Sequence, residues 1–279
     1  MRGTFVDGGR ATVDNRRLRR HRCSNTVRKP AMSKPRSAAL APDSAAEAGD
    51  DRGLPEDAIY EQIHHAVARQ DLAPGTRLRE EELRRIFNVS RTRIRNVLTR
   101  LAYAGVVTLE PNRGASVARP TPKEAHDNFI ARRAVEEAIV RLAAARVTPA
   151  DLARLEANID AECAARQAGD QTAMVWLSGE FHTLLAEIAG NTILARILRD
   201  LITREALVIA TYERQGKPSC SHEEHSAILA ALQHRDADTA ARLMLEHLGN
   251  VEDRLYFDPP ERDTDLSRIF GRSEKGGAG

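Results

Sequence analysis

Residues 87–95 of this 279-residue chain have the sequence Phe-Asn-Val-Ser-Arg-Thr-Arg-Ile-Arg, which joins two short helical segments. Apolar spacing predicts one helix over residues 80–87, and Ser90 is a good N-cap for a second helix over residues 91–104. The buried face of this second helix is predicted to hold Ile94, Val97, Leu98 and Leu101. Two helices joined by such a tight turn predict a helix-turn-helix unit.

The segments on either side extend this unit to a winged helix-turn-helix. Pro55 opens a preceding helix that continues to Arg69. Beyond Gly105, two short strands are predicted over residues 106–110 and 115–117, with turn residues between them. In a fold of three helices and a hairpin, the third helix enters the major groove of DNA and the hairpin, called the wing, lies beside it.

The charge distribution favours contact between this region and DNA. Residues 58–119 hold 11 Lys and Arg against 6 Asp and Glu, whereas residues 120–279 hold 19 against 26. A basic segment before an acidic body indicates a polyanionic partner for the first. A row of arginines on a helix is usually a solvated face, but here the row follows a helix-turn-helix turn and lies next to a hairpin. The predicted DNA-contacting residues are Arg91, Thr92, Arg93, Arg95, Arg100, Arg113 and Gly114.

The following part of the chain, residues 121–257, shows no convincing strand. Apolar spacing predicts six helices there, over residues 123–146, 149–168, 172–189, 191–212, 221–234 and 237–257. Gly, Pro, Asp and Asn residues mark the breaks between them. The predicted fold class is therefore mainly α: a winged helix-turn-helix over residues 55–120, followed by an all-α six-helix antiparallel bundle.

The two ends of the chain, residues 1–54 and 258–279, show no sustained apolar period and are predicted to be disordered. No apolar run approaches the roughly 18 residues of a membrane span, and no signal peptide follows the basic N-terminus. Three cysteines without a CxxC pair indicate neither a disulfide framework nor a Cys-type zinc site. The sequence thus predicts a cytoplasmic protein with no membrane partner.

Several short motifs between residues 59 and 120 occur in an order typical of one regulator family. They are Leu72-Ala-Pro-Gly-Thr-Arg-Leu78, Glu82-Leu83, Phe87-Asn-Val-Ser-Arg-Thr92, Ile94-Arg95, Gly105-Val-Val107 and Arg113-Gly114. This segment resembles the GntR family of bacterial transcription regulators, which implies a homodimer on a palindromic operator in double-stranded DNA. Arg93 and Asn96 stand where the family usually has Pro and Glu, so we expect a different preferred operator.

Motifs in the predicted bundle carry a second resemblance. They are Arg132-Arg-Ala-Val-Glu136, Phe181-His182, Ala189-Gly-Asn191, Glu224-His225 and Ala241-Arg-Leu-Met-Leu-Glu-His247. This part resembles the ligand-sensing FCD domain of the FadR subfamily, and six helices indicate its shorter, VanR-like branch. The resemblance implies a small organic acid as effector, whose carboxylate is held by a divalent metal ion or by an arginine inside the bundle.

The resemblance places the metal-binding histidines at His182, His225 and His247. The family's aspartate falls at Ser178, so this chain departs from the pattern and loses an anionic ligand. Three neutral imidazoles are enough for Zn, Ni or a similar ion, with water or an effector carboxylate in the open position. A lone helical histidine is usually structural, but three on family positions favour a metal. Glu180, two residues from His182, is predicted to lie on another face of the helix.

Two interpretations of Arg132 stay open. It matches the arginine that often faces the effector, and a buried guanidinium suits a carboxylate through bidentate hydrogen bonds. It also precedes Glu136 by four residues, which suits an ion pair within the helix. Arg132 and Ser178 are the predicted effector-binding residues.

Together these features predict a homodimeric DNA-binding regulator, most often a repressor, whose bundle senses a small carboxylate. Two alternatives are an architectural DNA-binding protein whose bundle only dimerises, and a metal-dependent enzyme in which an open metal position activates water. No general base is predicted beside the histidines, and an enzyme leaves the winged helix-turn-helix unexplained. We therefore predict no enzymatic activity.

Overall fold

The computed structural model describes residues 53–111, 113–213 and 221–257. Its first part, here called the head, consists of α1 (Glu56–Ala68), β1 (Arg77–Leu78), α2 (Glu80–Phe87), α3 (Arg91–Tyr103), β2 (Val107–Glu110) and β3 (Gly114–Val117). The hairpin of β2 and β3 forms the wing, with Val107 opposite Val117. The predicted winged helix-turn-helix is confirmed.

Two local features form the tight turn between α2 and α3. Asn88 adopts the left-handed conformation with φ 52° and ψ 52°, which ends α2. The Ser90 side chain then caps α3, since its oxygen accepts the backbone N–H of Arg93 at 3.4 Å. Ile94 and Leu98 on the inner face of α3 are buried, as predicted.

The sheet has one strand more than the sequence predicts. Strand β1 pairs antiparallel with β3, with Arg77 opposite Ser116 and Leu78 opposite Ala115, so the strand order is β1-β3-β2. Two residues are too few to show the alternation by which a strand is recognised. The partner of β1 lies nearly forty residues further along the chain, about ten times the separation of helical neighbours.

The second part, here called the bundle, contains six helices within its described residues, as predicted. They are α4 (Pro122–Arg146), α5 (Pro149–Ala168), α6 (Gln171–Ala189), α7 (Thr192–Tyr212), α8 (Ser221–Gln233) and α9 (Ala237–Glu252). Capping boxes of Thr121 with Glu124 and of Thr148 with Asp151 start α4 and α5. The last helix is shorter than predicted, because the chain turns after Glu252 and Tyr256 N–H donates to the Tyr212 carbonyl at 3.0 Å.

The head and the bundle pack through α1, the end of α3 and α7. Leu207 of α7 is 1% exposed and belongs to the apolar core of the head. The Nε atom of Arg204 donates to the Ala104 carbonyl at 2.6 Å. Gly105 has a φ of +71°, and a Cβ there would lie 2.6 Å from Arg204 Nε. Glycine is thus required at the end of α3 both by its backbone conformation and by this close approach.

The predictions about the chain ends, membrane spans and cysteines have different outcomes. Residues 1–52 and 258–279, predicted to be disordered, lie outside the described residues. Among the described residues, no helix is both long and apolar enough to cross a membrane. Cys163 is disulfide-bonded, which the cysteine pattern does not predict; Cys23 and Cys220 lie outside the described part of the chain.

Candidate functional site

Three buried histidines from three helices meet inside the bundle. His182 of α6, His225 of α8 and His247 of α9 are each at most 1% exposed. One ring nitrogen of each lies within 4.8 Å of the other two, and the Nε2 atoms of His182 and His247 are 3.2 Å apart. The structure therefore brings together all three histidines that the sequence singles out.

Each of these histidines contacts a different glutamate through Nδ1. Glu136 contacts His182, Glu162 contacts His225 at 2.9 Å, and Glu224 contacts His247 at 2.6 Å. Because an ionised carboxylate only accepts hydrogen bonds, it places the imidazole proton on Nδ1 and leaves a lone pair on Nε2. The Nε2 atom of His225 is buried and has no hydrogen-bond partner among the described residues. Three Nε2 lone pairs are thus available at one point.

The protonation states of the cluster follow from burial and charge. Burial lowers the pKa of His182 to about 4, although the nearby Glu136 raises it. Burial and the two other histidines hold the pKa of His247 well below its usual value. Burial alone would raise the pKa of Glu136, but Arg132 and His182 outweigh it and hold that pKa at about 2. The imidazoles of His182 and His247 are therefore neutral at pH 7, which is the form that binds a metal ion.

We expect the metal-free protein to lose stability as the pH falls below about 6.5, the ordinary histidine pKa. Unfolded His182 and His247 bind protons in this range while the folded ones do not, so the free energy of unfolding falls down to about pH 4. The slope is at most about 1.4 kcal/mol per pH unit for each histidine. Urea denaturation at several pH values between about 4 and 6.5 measures this slope. A slope of zero would contradict the lowered pKa values of His182 and His247.

Arg132 lies in a buried charge network at the edge of the cluster. Its Nε donates to Glu136 Oε1 at 2.6 Å, and its Nη1 pairs with Glu205 of α7. The ion pair with Glu136, one of the two interpretations of this arginine, is therefore present in the structure. The Nη2 atom is buried without a hydrogen-bond partner in the described part of the chain. Glu205 gives no signal in the sequence, because it lies 73 positions from Arg132.

A cavity of about 560 Å³ lies beside the histidine cluster. Its lining includes Ser178 and His182 from α6, Arg199 and Glu205 from α7, and His64 and His65 from α1. Its volume is in the range of small-molecule sites. Of the two predicted effector-binding residues, Ser178 lines this cavity and Arg132 does not. The contribution of α1 could not be predicted, since apolar spacing reports only which face of a helix is covered.

Glu180 lies near the histidine cluster but is not one of the residues that meet there. It lines the same cavity as His182, and burial followed by the negative charge of Glu187 raises its pKa. The cavity is wide enough to be lined by adjacent faces of α6, so a separation of two residues does not remove Glu180 from it.

The predicted DNA-contacting residues of the head lie on α3 and the wing. Arg91, Thr92 and Arg95 are exposed in the first turns of α3, and Arg113 and Gly114 are exposed beside the wing turn. Gly114 has a φ of +82°, which the tight turn requires. These positions suit a helix in the major groove with a wing beside it.

Acidic side chains of the head neutralise several of these arginines. Arg95 Nε lies 2.9 Å from Glu80 Oε2, and Arg91 Nη2 lies 3.3 Å from Glu81 Oε2. Arg100 pairs with Asp57 of α1 at 2.8 Å. The remaining two contacts are those of Arg93 with the Leu54 carbonyl at 2.7 Å and of Arg113 with Glu110 at 3.6 Å. DNA phosphates would compete with these carboxylates for the arginines.

Comparison with known proteins agrees with this geometry. The family model described as bacterial regulatory proteins, gntR family, matches residues 55–117, and the FCD domain model matches residues 127–250. The transcriptional repressor NanR of Cronobacter sakazakii is 30% identical over 216 residues, covering 69% of this chain and 82% of that protein. The chain belongs to the GntR family. It is a DNA-binding transcription regulator with an FCD domain.

Other relatives of this GntR-family chain include the transcriptional repressor RspR of Escherichia coli K12, 29% identical over 198 residues, or 71% of this chain and 87% of that protein. Among solved structures, E. coli McbR/YncC is similar with a TM-score of 0.63 and 21% identity, over 70% of this chain and 93% of that chain. The structure of a protein described as a transcriptional regulator GntR from Rhodococcus sp. RHA1 is similar with a TM-score of 0.62 and 24% identity, over 71% of this chain and 95% of that chain. These two likenesses support the fold.

Proposed function

We propose that this GntR-family regulator is a homodimeric repressor that reads a palindromic operator. Residues 55–120 form the DNA-binding domain, and residues 121–257 form the domain that dimerises and senses a ligand. The exposed arginines at the start of α3 support contact with DNA. Ile193 and Ile197, one turn apart on α7, are 61% and 44% exposed, and such an apolar surface suits a second copy of the chain.

The bundle, in this proposal, binds a small organic acid through a divalent metal ion such as Zn or Ni. His182, His225 and His247 would hold the ion through Nε2, and the observation that carries this assignment is the glutamate on each Nδ1. The bound ion supplies a positive charge with open coordination positions for a carboxylate. Ser178 in place of the family's aspartate leaves more of the coordination sphere to the effector.

Regulation then follows from linkage between the two sites. If the effector prefers an arrangement of the two heads that does not fit the operator, it weakens DNA binding, and the operator weakens effector binding by the same factor. An effector that binds both arrangements equally would have no regulatory effect.

The test is metal analysis of protein purified without a histidine tag. We expect about one divalent ion per chain in the wild type and none in the variant His182→Ala, His225→Ala, His247→Ala. A matched control is the variant His126→Ala, His234→Ala, which removes two exposed histidines and should retain the metal. Metal-free wild type that is folded and binds operator DNA would overturn the metal assignment. Operator affinity that no small acid changes would favour a bundle that only dimerises.

A further inference from the structure

The cavity beside the histidine cluster is bounded on one side by the DNA-binding head. His64, His65 and Ala68 of α1 belong to its lining, together with Ser178 and His182 of the bundle. A ligand that reaches the histidine cluster therefore shares a cavity with the first helix of the head. This geometry offers a direct contact between ligand and head.

Arg199 of α7 is the residue that links this cavity to the head by charge. It lines the cavity, and its Nη1 atom donates to Glu61 of α1 at 2.7 Å. Its guanidinium also lies 5.9 Å from the ring centroid of Tyr60. The Nε atom of Arg199 is buried and has no hydrogen-bond partner among the described residues. A buried guanidinium N–H without an acceptor is costly, and an anionic ligand group would satisfy it.

The charges around the histidine cluster differ from the charge that the cavity meets at Arg199, in a way that favours a ligand with two acidic groups. Around the histidines, four buried or partly buried carboxylates face one arginine; they are Glu136, Glu162, Glu205 and Glu224, against Arg132. One acidic group is thus accepted there only through a metal ion. At the side of the head, Arg199 supplies a permanent positive charge; its Nη1 pairs with Glu61, and its Nε has no hydrogen-bond partner in the described part of the chain.

We propose that Arg199 binds a second acidic group of the effector, which is then a short dicarboxylate, and that this contact draws Arg199 away from Glu61 of the head. The inference rests on the proposed function, since the first carboxylate is placed on the metal held by the three histidines. Glu61 and the ligand compete for one guanidinium, so the dicarboxylate weakens one contact between head and bundle. A monocarboxylate fills the metal end and leaves that contact intact.

Other contacts between α1 and α7 stay in place when this pair opens. Thr203 Oγ1 lies 3.3 Å from His64 Nδ1, and Gln70 Nε2 donates to the Ala206 carbonyl at 3.1 Å. The ligand therefore shifts the head relative to the bundle without releasing it. Such a small shift at an interface is a recognised route from an effector site to a change in dimer geometry.

Trp176 provides a readout of this cavity that needs no operator. It is the single tryptophan of the chain. Its side chain lines the cavity, its ring centroid lies 5.6 Å from that of His65, and the guanidinium of Arg69 lies 5.7 Å from it. Tryptophan fluorescence of the intact protein therefore reports both ligand binding and movement of α1.

The experiment titrates zinc-loaded, full-length protein with pairs of 2-hydroxy acids of equal length. The diacids are malate, 2-hydroxyglutarate and 2-hydroxyadipate; the monoacids are 2-hydroxybutyrate, 2-hydroxyvalerate and 2-hydroxyhexanoate. We expect at least one diacid to bind at least about tenfold more tightly than the monoacid of the same length. A difference of this size is expected from one additional charge-assisted hydrogen bond. Arg199→Gln should abolish this advantage. Arg196→Gln, an exposed arginine on the same helix, should keep it. Glu61→Gln should strengthen diacid binding, because the competing carboxylate is gone.

The outcomes separate this inference from the proposed function. If the protein retains zinc but binds each diacid and its monoacid with equal affinity, the inference is overturned and the metal-dependent sensor remains. The same holds if the diacids keep their higher affinity in the Arg199→Gln variant. If the protein does not retain zinc and binds neither acid of any pair, both the proposed function and this inference are overturned. Zinc content measured on Arg199→Gln checks that the variant is folded and that its histidine cluster is undisturbed.

Discussion

Replacing Arg132 by methionine is expected to destabilise the protein by about 3–5 kcal/mol, because the change leaves two carboxylates buried without their partner. Arg132 is 1% exposed and contacts both Glu136 and Glu205, which are 1% and 7% exposed. Methionine keeps most of the volume, so the loss reports charge rather than a cavity. Urea denaturation at pH 7 measures the change in the free energy of unfolding.

Two controls separate the network from a general effect of losing an arginine. The triple variant Arg132→Met, Glu136→Gln, Glu205→Gln removes the buried charges together and should recover much of the lost stability. Arg141→Met removes an exposed arginine that pairs with Glu137 and Asp238, and should change stability by less than about 1 kcal/mol. If Arg132→Met unfolds at the same urea concentration as the wild type, the ion pairs of Arg132 with Glu136 and Glu205 do not stabilise the packing of α4 against α7.

The variant Arg95→Ala is expected to weaken binding to an operator selected from random sequence by about 5- to 150-fold, or 1–3 kcal/mol, if Arg95 contacts a guanine. Arg95 is exposed near the start of α3 and is held by Glu80. If it contacts phosphate instead, the loss is similar on all sequences and the salt dependence becomes less steep. Mobility shifts at several salt concentrations distinguish the two.

Neighbouring residues supply the comparisons for this prediction. Glu80→Gln frees Arg95 and should strengthen binding, with no such gain when Arg95 is already alanine. Arg100→Ala should cost less affinity than Arg95→Ala, since Arg100 pairs with Asp57 and lies 4.9 Å from the Tyr60 ring centroid. Binding by Arg95→Ala that equals the wild type at every salt concentration would remove Arg95 from the interface.

The parts of the fold that the sequence predicts well are those with local causes. Ser90 caps α3 within three residues, and Pro122 and Pro149 each begin a helix behind a capping threonine. The sequence does not predict strand β1, because the strand is stabilised by pairing with β3 far along the chain. The end of α9 was placed too late for the same reason, since the bridge between Leu255 and Glu213 stops the helix.

In the candidate site, too, the sequence identifies some residues and leaves out those whose importance depends on distant contacts. The three histidines were found through their family positions, which single out the residues without their surroundings. Glu162 carries no such signal, and neither its spacing nor its type distinguishes it from a solvated glutamate. Arg199 and Trp176 were missed because their importance comes from contacts with α1, more than a hundred residues earlier in the chain.

The position of Leu207 in the apolar core of the head has a consequence for protein engineering. A chimeric regulator results when a DNA-binding segment is joined to a foreign sensor at the linker between them. In this chain such a junction would remove one side chain of the apolar core to which Ile59 also belongs, and the exchanged segment would expose part of that core to water. A working chimera must carry a compatible α7 along with the segment that reads DNA.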